Sequence, residues 1–136
     1  SVLIPANWGQ CPRNESVLWC ALDSSSDAHF KSNIAVSVYS NVNLVDFEKR
    51  MTEERQDALK WTLVEDGDNP YFWAKNSYTS YTTTHVQNGR KDELGFWCYA
   101  FVHQNRVIEI TLVGLLSDVD HLDYLFKFLT ARIDRT

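Results

Sequence analysis

Four histidines, three cysteines and two acidic turns are the residues whose types and spacing could support chemistry in this chain. His29, His85, His103 and His121 show no HxH, HExxH or i,i+4 spacing. No zinc site is signalled, and no metal or other cofactor is expected. Asp23-Ser24-Ser25-Ser26-Asp27 and Asp66-Gly67-Asp68-Asn69 have the look of calcium loops. Neither continues to a glutamate at the twelfth position, and Asp66-Gly67 breaks the ligand order, so turn chemistry explains both better. Carboxylates adjoin at Glu53-Glu54 and Asp92-Glu93, but both pairs sit in polar runs with nothing to place them in a cleft. No GxSxG elbow, P-loop or GxGxxG occurs. Ser24, Ser25 and Ser26 near His29 are too local for a triad, which draws its groups from separate elements. The expectation is a protein that is not an enzyme and works by binding another protein.

Composition bears on the partner. The 136 residues suit one domain, 1–136, and 13% are aromatic, a load that stabilises a core and supplies interface anchors. A net charge of −5 argues against nucleic acid, whose phosphates need a basic face. No run of about 18 apolar residues is present to span a membrane. Residues 76–84 are rich in Tyr, Ser and Thr. Tyr78 and Tyr81 would give rigid contact area there, as in a paratope, although Tyr and Thr also simply favour strands. Glu65, Asp66, Asp68 and Asn69 join Asp23, Ser24, Ser25, Ser26 and Asp27 as acidic and hydroxyl groups suited to a basic groove. Cys11 and Cys20 flank a Pro12-Arg13-Asn14-Glu15 turn and would close a loop in an oxidising compartment; the alternative is three unpaired thiols. Cys98 lies in an aromatic strand and reads as a small buried hydrophobe.

The elements that would position these residues follow from periodicity and caps. Short strands are expected at 2–4 and 16–22, and an alternating strand at 33–39. Asn43, with Asp46 three residues on, caps a helix to about residue 60 whose polar middle, 52–57, faces solvent. A strand at 61–65 ends at the turn 66–70, and Tyr71-Phe72-Trp73-Ala74 starts another. Residues 78–87 are extended. Asn88-Gly89 signals a hairpin, with Arg90-Lys91-Asp92-Glu93 suggesting a loop longer than two residues. Strand 94–103 is apolar on both faces and therefore central. Strand 107–113 precedes a helix capped by Ser117. Val119, Leu122, Leu125, Phe126, Leu129 and Ile133 form its core stripe, with Tyr124 and Phe128 as an i,i+4 pair beside it. The fold class is α+β, a curved antiparallel sheet with two helices.

This order resembles the PsbP-like superfamily, which includes DcrB-type bacterial proteins. The matching features are Leu3-Ile4-Pro5-Ala6-Asn7-Trp8, a strand feeding a polar helix, and two long late strands running into a capped helix. The resemblance implies an α/β/α sandwich and a non-enzymatic, protein-binding role. In size and style the chain is similar to the periplasmic immunity proteins of bacterial type VI secretion. That likeness implies a domain that occludes the cleft of a secreted peptidoglycan-degrading muramidase effector, with calcium, if present, on the partner. It also implies export, with any lipid-bearing Cys upstream of Ser1. The alternative is a PsbP-like adaptor or assembly factor, in the cytoplasm if its thiols are reduced.

Overall fold

A computed structural model describes residues 5–10, 19–23 and 30–134. The strands are β1 (Trp8–Gln10), β2 (Trp19–Asp23), β3 (Asn33–Tyr39), β4 (Thr62–Gly67), β5 (Asn76–Gln87), β6 (Arg90–His103) and β7 (Arg106–Leu115). They form one antiparallel sheet in the order β1-β2-β3-β7-β6-β5-β4. Helix α1 (Leu44–Glu53) lies between β3 and β4, and α2 (Val119–Thr130) follows β7.

Each face of the sheet carries one helix, which is why β6 is apolar on both sides. Trp97, Tyr99 and Phe101 pack with Ile110 and Leu112 of β7 under Leu122, Phe126 and Leu129 of α2. Ala100 and Val107 point the other way and pack on Phe47 of α1. The expected core stripe of α2 holds at Leu122, Phe126 and Leu129, with Leu125 partly buried and Val119 exposed; the helix ends at Thr130, and Ile133 joins the core from beyond it. Gly114 allows the close approach of α2: a Cβ there would run into the Leu122 side chain and lie 2.7 Å from Ser32 Oγ.

The Asn43 cap forms as expected. Its side chain accepts from the Asp46 amide at 2.8 Å and donates to the Asp46 carboxylate at 2.9 Å. Four other local expectations are corrected. Regular α-helix stops at Glu53; residues Glu54–Ala58 form a wider π turn, in which the Leu59 amide donates to the Glu54 carbonyl. The Tyr71–Ala74 strand is absent, because Asn69 and Asn76 fold that segment into a turn. The Asn88-Gly89 connection is a two-residue loop after all. Both residues take positive φ, 53° and 78°, the backbone of a type I′ turn, so Arg90 pairs with Gln87 at once. Ser117 does not cap α2: a 3₁₀ turn, Leu116–Asp118, occupies that position and leads in without a side-chain cap. The expected strand at 2–4 lies outside the described residues.

Candidate partner-binding face

The acidic turn at the end of β4 is aimed by a β-bulge. Leu63 pairs with Tyr81 but Glu65 with Ser80, so one extra residue, the exposed Val64, sits between them. The bulge shifts the alternation by one. Glu65 thereby turns to the α2 side of the sheet, where its carboxylate lies 3.9 Å from Lys127 Nζ.

Beyond Gly67 the chain is fastened by two amides. Asn76 Oδ1 accepts from the Asn69 backbone amide at 2.7 Å, and Asn76 Nδ2 donates to the Asn69 and Ala74 carbonyls at 2.9 Å each. Asn69 Oδ1 accepts from the Tyr71 amide at 3.0 Å. Trp73 anchors the far side by donating its indole N–H to the Ile133 carbonyl. The result is a pinned loop carrying Tyr71 at its crest, 95% exposed.

Behind this loop is a cleft of about 330 Å³ lined by Glu65, Asp66, Asp68, Asn69 and Tyr78 together with Tyr99, Lys127 and Thr130. Five expected contact residues therefore meet at one place. Asp123 of α2 holds two of the lining residues, Tyr78 and Lys127. One oxygen of Asp123 accepts from the Trp97 indole at 3.1 Å and from the Tyr78 hydroxyl at 3.4 Å, and the other lies 3.2 Å from Lys127 Nζ. Burial, then the Asp123 and Glu65 carboxylates, push the Tyr78 phenol above the ordinary tyrosine range. Burial, then Asp68, does the same for Tyr99.

The remaining expected site residues lie elsewhere. Tyr81 is corrected outright: it faces α1, is 1% exposed, and packs edge-on to Trp61, so it cannot touch a partner. The reason is parity, since Tyr78 and Tyr81 fall on opposite faces of β5. Asp23 ends β2 and pairs with Trp8. Five strand intervals separate β2 from β4, roughly 24 Å at 4.8 Å per interval. Asp23 also sits toward the hairpin end of the sheet, opposite the 66–76 loop, so the first acidic loop does not start beside the second. Ser24, Ser25, Ser26 and Asp27 lie outside the described residues. Cys20 is disulfide-bonded, Cys11 lies outside the described residues, and Cys98 is a free, buried thiol as expected.

Sequence reasoning missed a buried polar cluster on the other face. Arg55, placed by the π turn, donates to Glu109 Oε1 of β7 at 2.8 Å. Both are buried, at 9% and 3% exposure, although Arg55 sits in the polar stretch 52–57 expected to face solvent. Cys98 and Tyr81 border the same small cavity, of about 20 Å³, room for one water. Burial and then the Glu109 carboxylate push the Cys98 thiol up to about 12, against Arg55 and a Thr79 hydrogen bond. A thiol held protonated in this way is a poor nucleophile at neutral pH. Among the described residues, no group of three or more His, Cys, Asp or Glu is arranged to hold a metal ion. No described helix is long and apolar enough to cross a membrane.

No family model matches the chain, and no curated protein matches it. Solved structures do. Cyanobacterial PsbP (CyanoP) from Synechocystis sp. PCC 6803 superposes with a TM-score of 0.65 at 14% identity, over 96% of this chain and 82% of that one. The chain has the PsbP-like fold. The Pseudomonas aeruginosa protein PA94, of unknown function, shares it with a TM-score of 0.66 at 14% identity, over 95% and 97% of the two chains. LpqN, involved in cell envelope biogenesis of Mycobacterium tuberculosis, shares it at 0.58 and 10% identity, over 95% and 78%. At such identities the PsbP-like fold is what is common, and activity has to be argued from the face itself.

Proposed function

We propose that this chain is a periplasmic immunity protein. It binds a type VI secreted peptidoglycan-degrading muramidase effector without catalysing a reaction itself. By occluding the effector's active-site cleft it protects the producing cell and its siblings. The observation that carries the reading is the pinned acidic loop with Tyr71 at its crest. A loop fixed before binding loses little entropy on docking, and an exposed tyrosine among carboxylates suits a groove that is basic and built for glycan oxygens. The Cys20 disulfide is in keeping with an oxidising compartment. The PsbP-like fold and the envelope-biogenesis role of LpqN lend support of a coarser kind.

The test is capture from the source organism with this domain as bait, followed by assay of the captured protein on peptidoglycan. A cell-wall hydrolase that the domain inhibits stoichiometrically is expected. Capture of no hydrolase, or of one whose turnover is unaffected, overturns the reading. A second reading, a PsbP-like adaptor or assembly factor, draws on a separate surface. Tyr124 and Phe128 form an exposed pair on α2, and Arg132, just past the end of the helix, lies 3.6 Å over the Phe128 ring. An adaptor needs two such surfaces, and capture of two partners that assemble only through the domain would favour it.

A further inference from the structure

The cleft beside the acidic loop has a composition that its own neighbours do not balance. Glu65, Asp66 and Asp68 all line it, against one cation, Lys127. Lys127 is already engaged, 3.2 Å from Asp123 and 3.9 Å from Glu65. Asp66 pairs with Thr79 and so turns its side chain to the α1 side, which leaves Asp68, beside Tyr99, as a carboxylate in excess of positive charge at the opening.

Tyr99 is the second, independent feature. It lines the cleft and is 3% exposed, yet its hydroxyl has no hydrogen-bond partner. An orphaned buried hydroxyl is costly, and such groups in native structures call for an explanation. The Thr130 hydroxyl is not its equal, since it already donates to the Phe126 carbonyl at 2.8 Å. The cleft also has an aromatic wall that tolerates a cation: Lys127 Nζ sits 5.8 Å from the centre of the Tyr78 ring.

We propose that this cleft accepts a basic side chain of the protein partner, an arginine guanidinium or a lysine ammonium, between the Asp68 carboxylate and the Tyr99 hydroxyl. The inference takes the existence of a protein partner from the function proposed above. Tyr71 and the loop then enter the partner while one partner side chain enters this domain, a reciprocal lock across one interface. Charge selects the occupant: an anionic group would meet the carboxylate excess, and a neutral one would leave it uncompensated. The planar fork of arginine, able to donate to a carboxylate and to the phenol oxygen together, fits better than the point charge of lysine.

The test uses the whole folded chain, isotope-labelled, titrated with Nα-acetyl-arginine amide, with the lysine analogue, and with the neutral citrulline analogue as isostere. Saturable shifts in the millimolar range are expected with the arginine probe at Asp68, Tyr99, Ala131 and the Trp97 indole. The lysine probe should bind more weakly and the citrulline probe should give no localised shift. The D68N variant, altered only at an exposed position, should weaken the arginine probe about tenfold. Y99F, which keeps the ring, should weaken it several-fold. Absence of localised shifts, equal shifts with citrulline, or full binding by D68N overturns the proposal. The titration involves no partner, so its failure leaves hydrolase inhibition standing, and lost inhibition leaves a successful titration standing.

Discussion

The Arg55 guanidinium lies 2.8 Å from the Glu109 carboxylate in the layer between α1 and the sheet, and both side chains are buried. Burial disfavours the Arg55 charge; the neighbouring acidic groups, Cys98 and Glu109, more than offset this and hold its pKa above the ordinary value. Removing one partner leaves the other charge buried and alone. R55M or E109L is expected to cost about 3–5 kcal/mol, whereas the apolar double variant R55M/E109L recovers most of that loss. Urea midpoints of the three variants check this; additive single losses would mean that the two groups do not act as a pair.

The same pair shows where sequence reading stopped. The period-2 pattern of strand 107–113 and the apolar faces of β6 are set by side chains that alternate whatever lies above them, so the sheet and its two helices were legible. Arg55 sits in a stretch that reads as solvent-facing, and the burial of Glu109 is equally hidden, because hydropathy registers charge and not the partner that neutralises it. The π turn that aims Arg55 and the bulge at Val64 that aims Glu65 are one-residue insertions in a ladder. No composition signal marks either. Parity along β5 was available in principle: Tyr78 and Tyr81 are three apart and cannot share a face of a strand. The chain reversal after β4 was legible, although the strand runs on through Asp66 and Gly67, but the junction of that loop with Lys127, Asp123 and Tyr99 needed α2 docked across the sheet.

The Tyr78 phenol, raised first by burial and then by Asp123 and Glu65, gives a pH dependence of definite sign. A folded-state pKa above the unfolded value means that the folded state holds the proton more tightly. The stabilisation is complete below the unfolded value of about 10, and it is lost as pH rises from there through the folded value. D123N removes the second cause, so Tyr78 should ionise at lower pH than in the parent chain. Ultraviolet difference titration, with Y78F to assign the signal, measures this. An unshifted phenolate transition would show that Asp123 does not act on Tyr78.

Cys98 should be chemically silent in the folded chain. Burial and the Glu109 carboxylate push its pKa up to about 12, so neither access nor thiolate is available near neutrality. Alkylation in native buffer is expected to leave it unmodified, and alkylation in denaturant to modify it fully. The sign matches that of Tyr78: stability held below the unfolded thiol value, about 8.5, declines as pH rises through about 12. Rapid native labelling would contradict the burial. C98A removes only the small thiol and is expected to cost about 1 kcal/mol.

The 66–76 loop separates binding from stability. Tyr71 is 95% exposed, so Y71A should leave the thermal midpoint within error of the parent. If Tyr71 anchors the partner, the same change should weaken the complex by about 2 kcal/mol, close to thirtyfold. Asn76 behaves in the opposite way. It makes three hydrogen bonds that close the loop, to the Asn69 amide and to the Asn69 and Ala74 carbonyls. N76A should therefore cost about 1–3 kcal/mol in stability and also slow association, because a loosened loop must be ordered at docking. Calorimetric melting and surface-based binding kinetics on the two variants test the division. If Y71A binds the captured partner as tightly as the parent while N76A does not, the crest tyrosine is ornamental and the loop acts through its carboxylates alone.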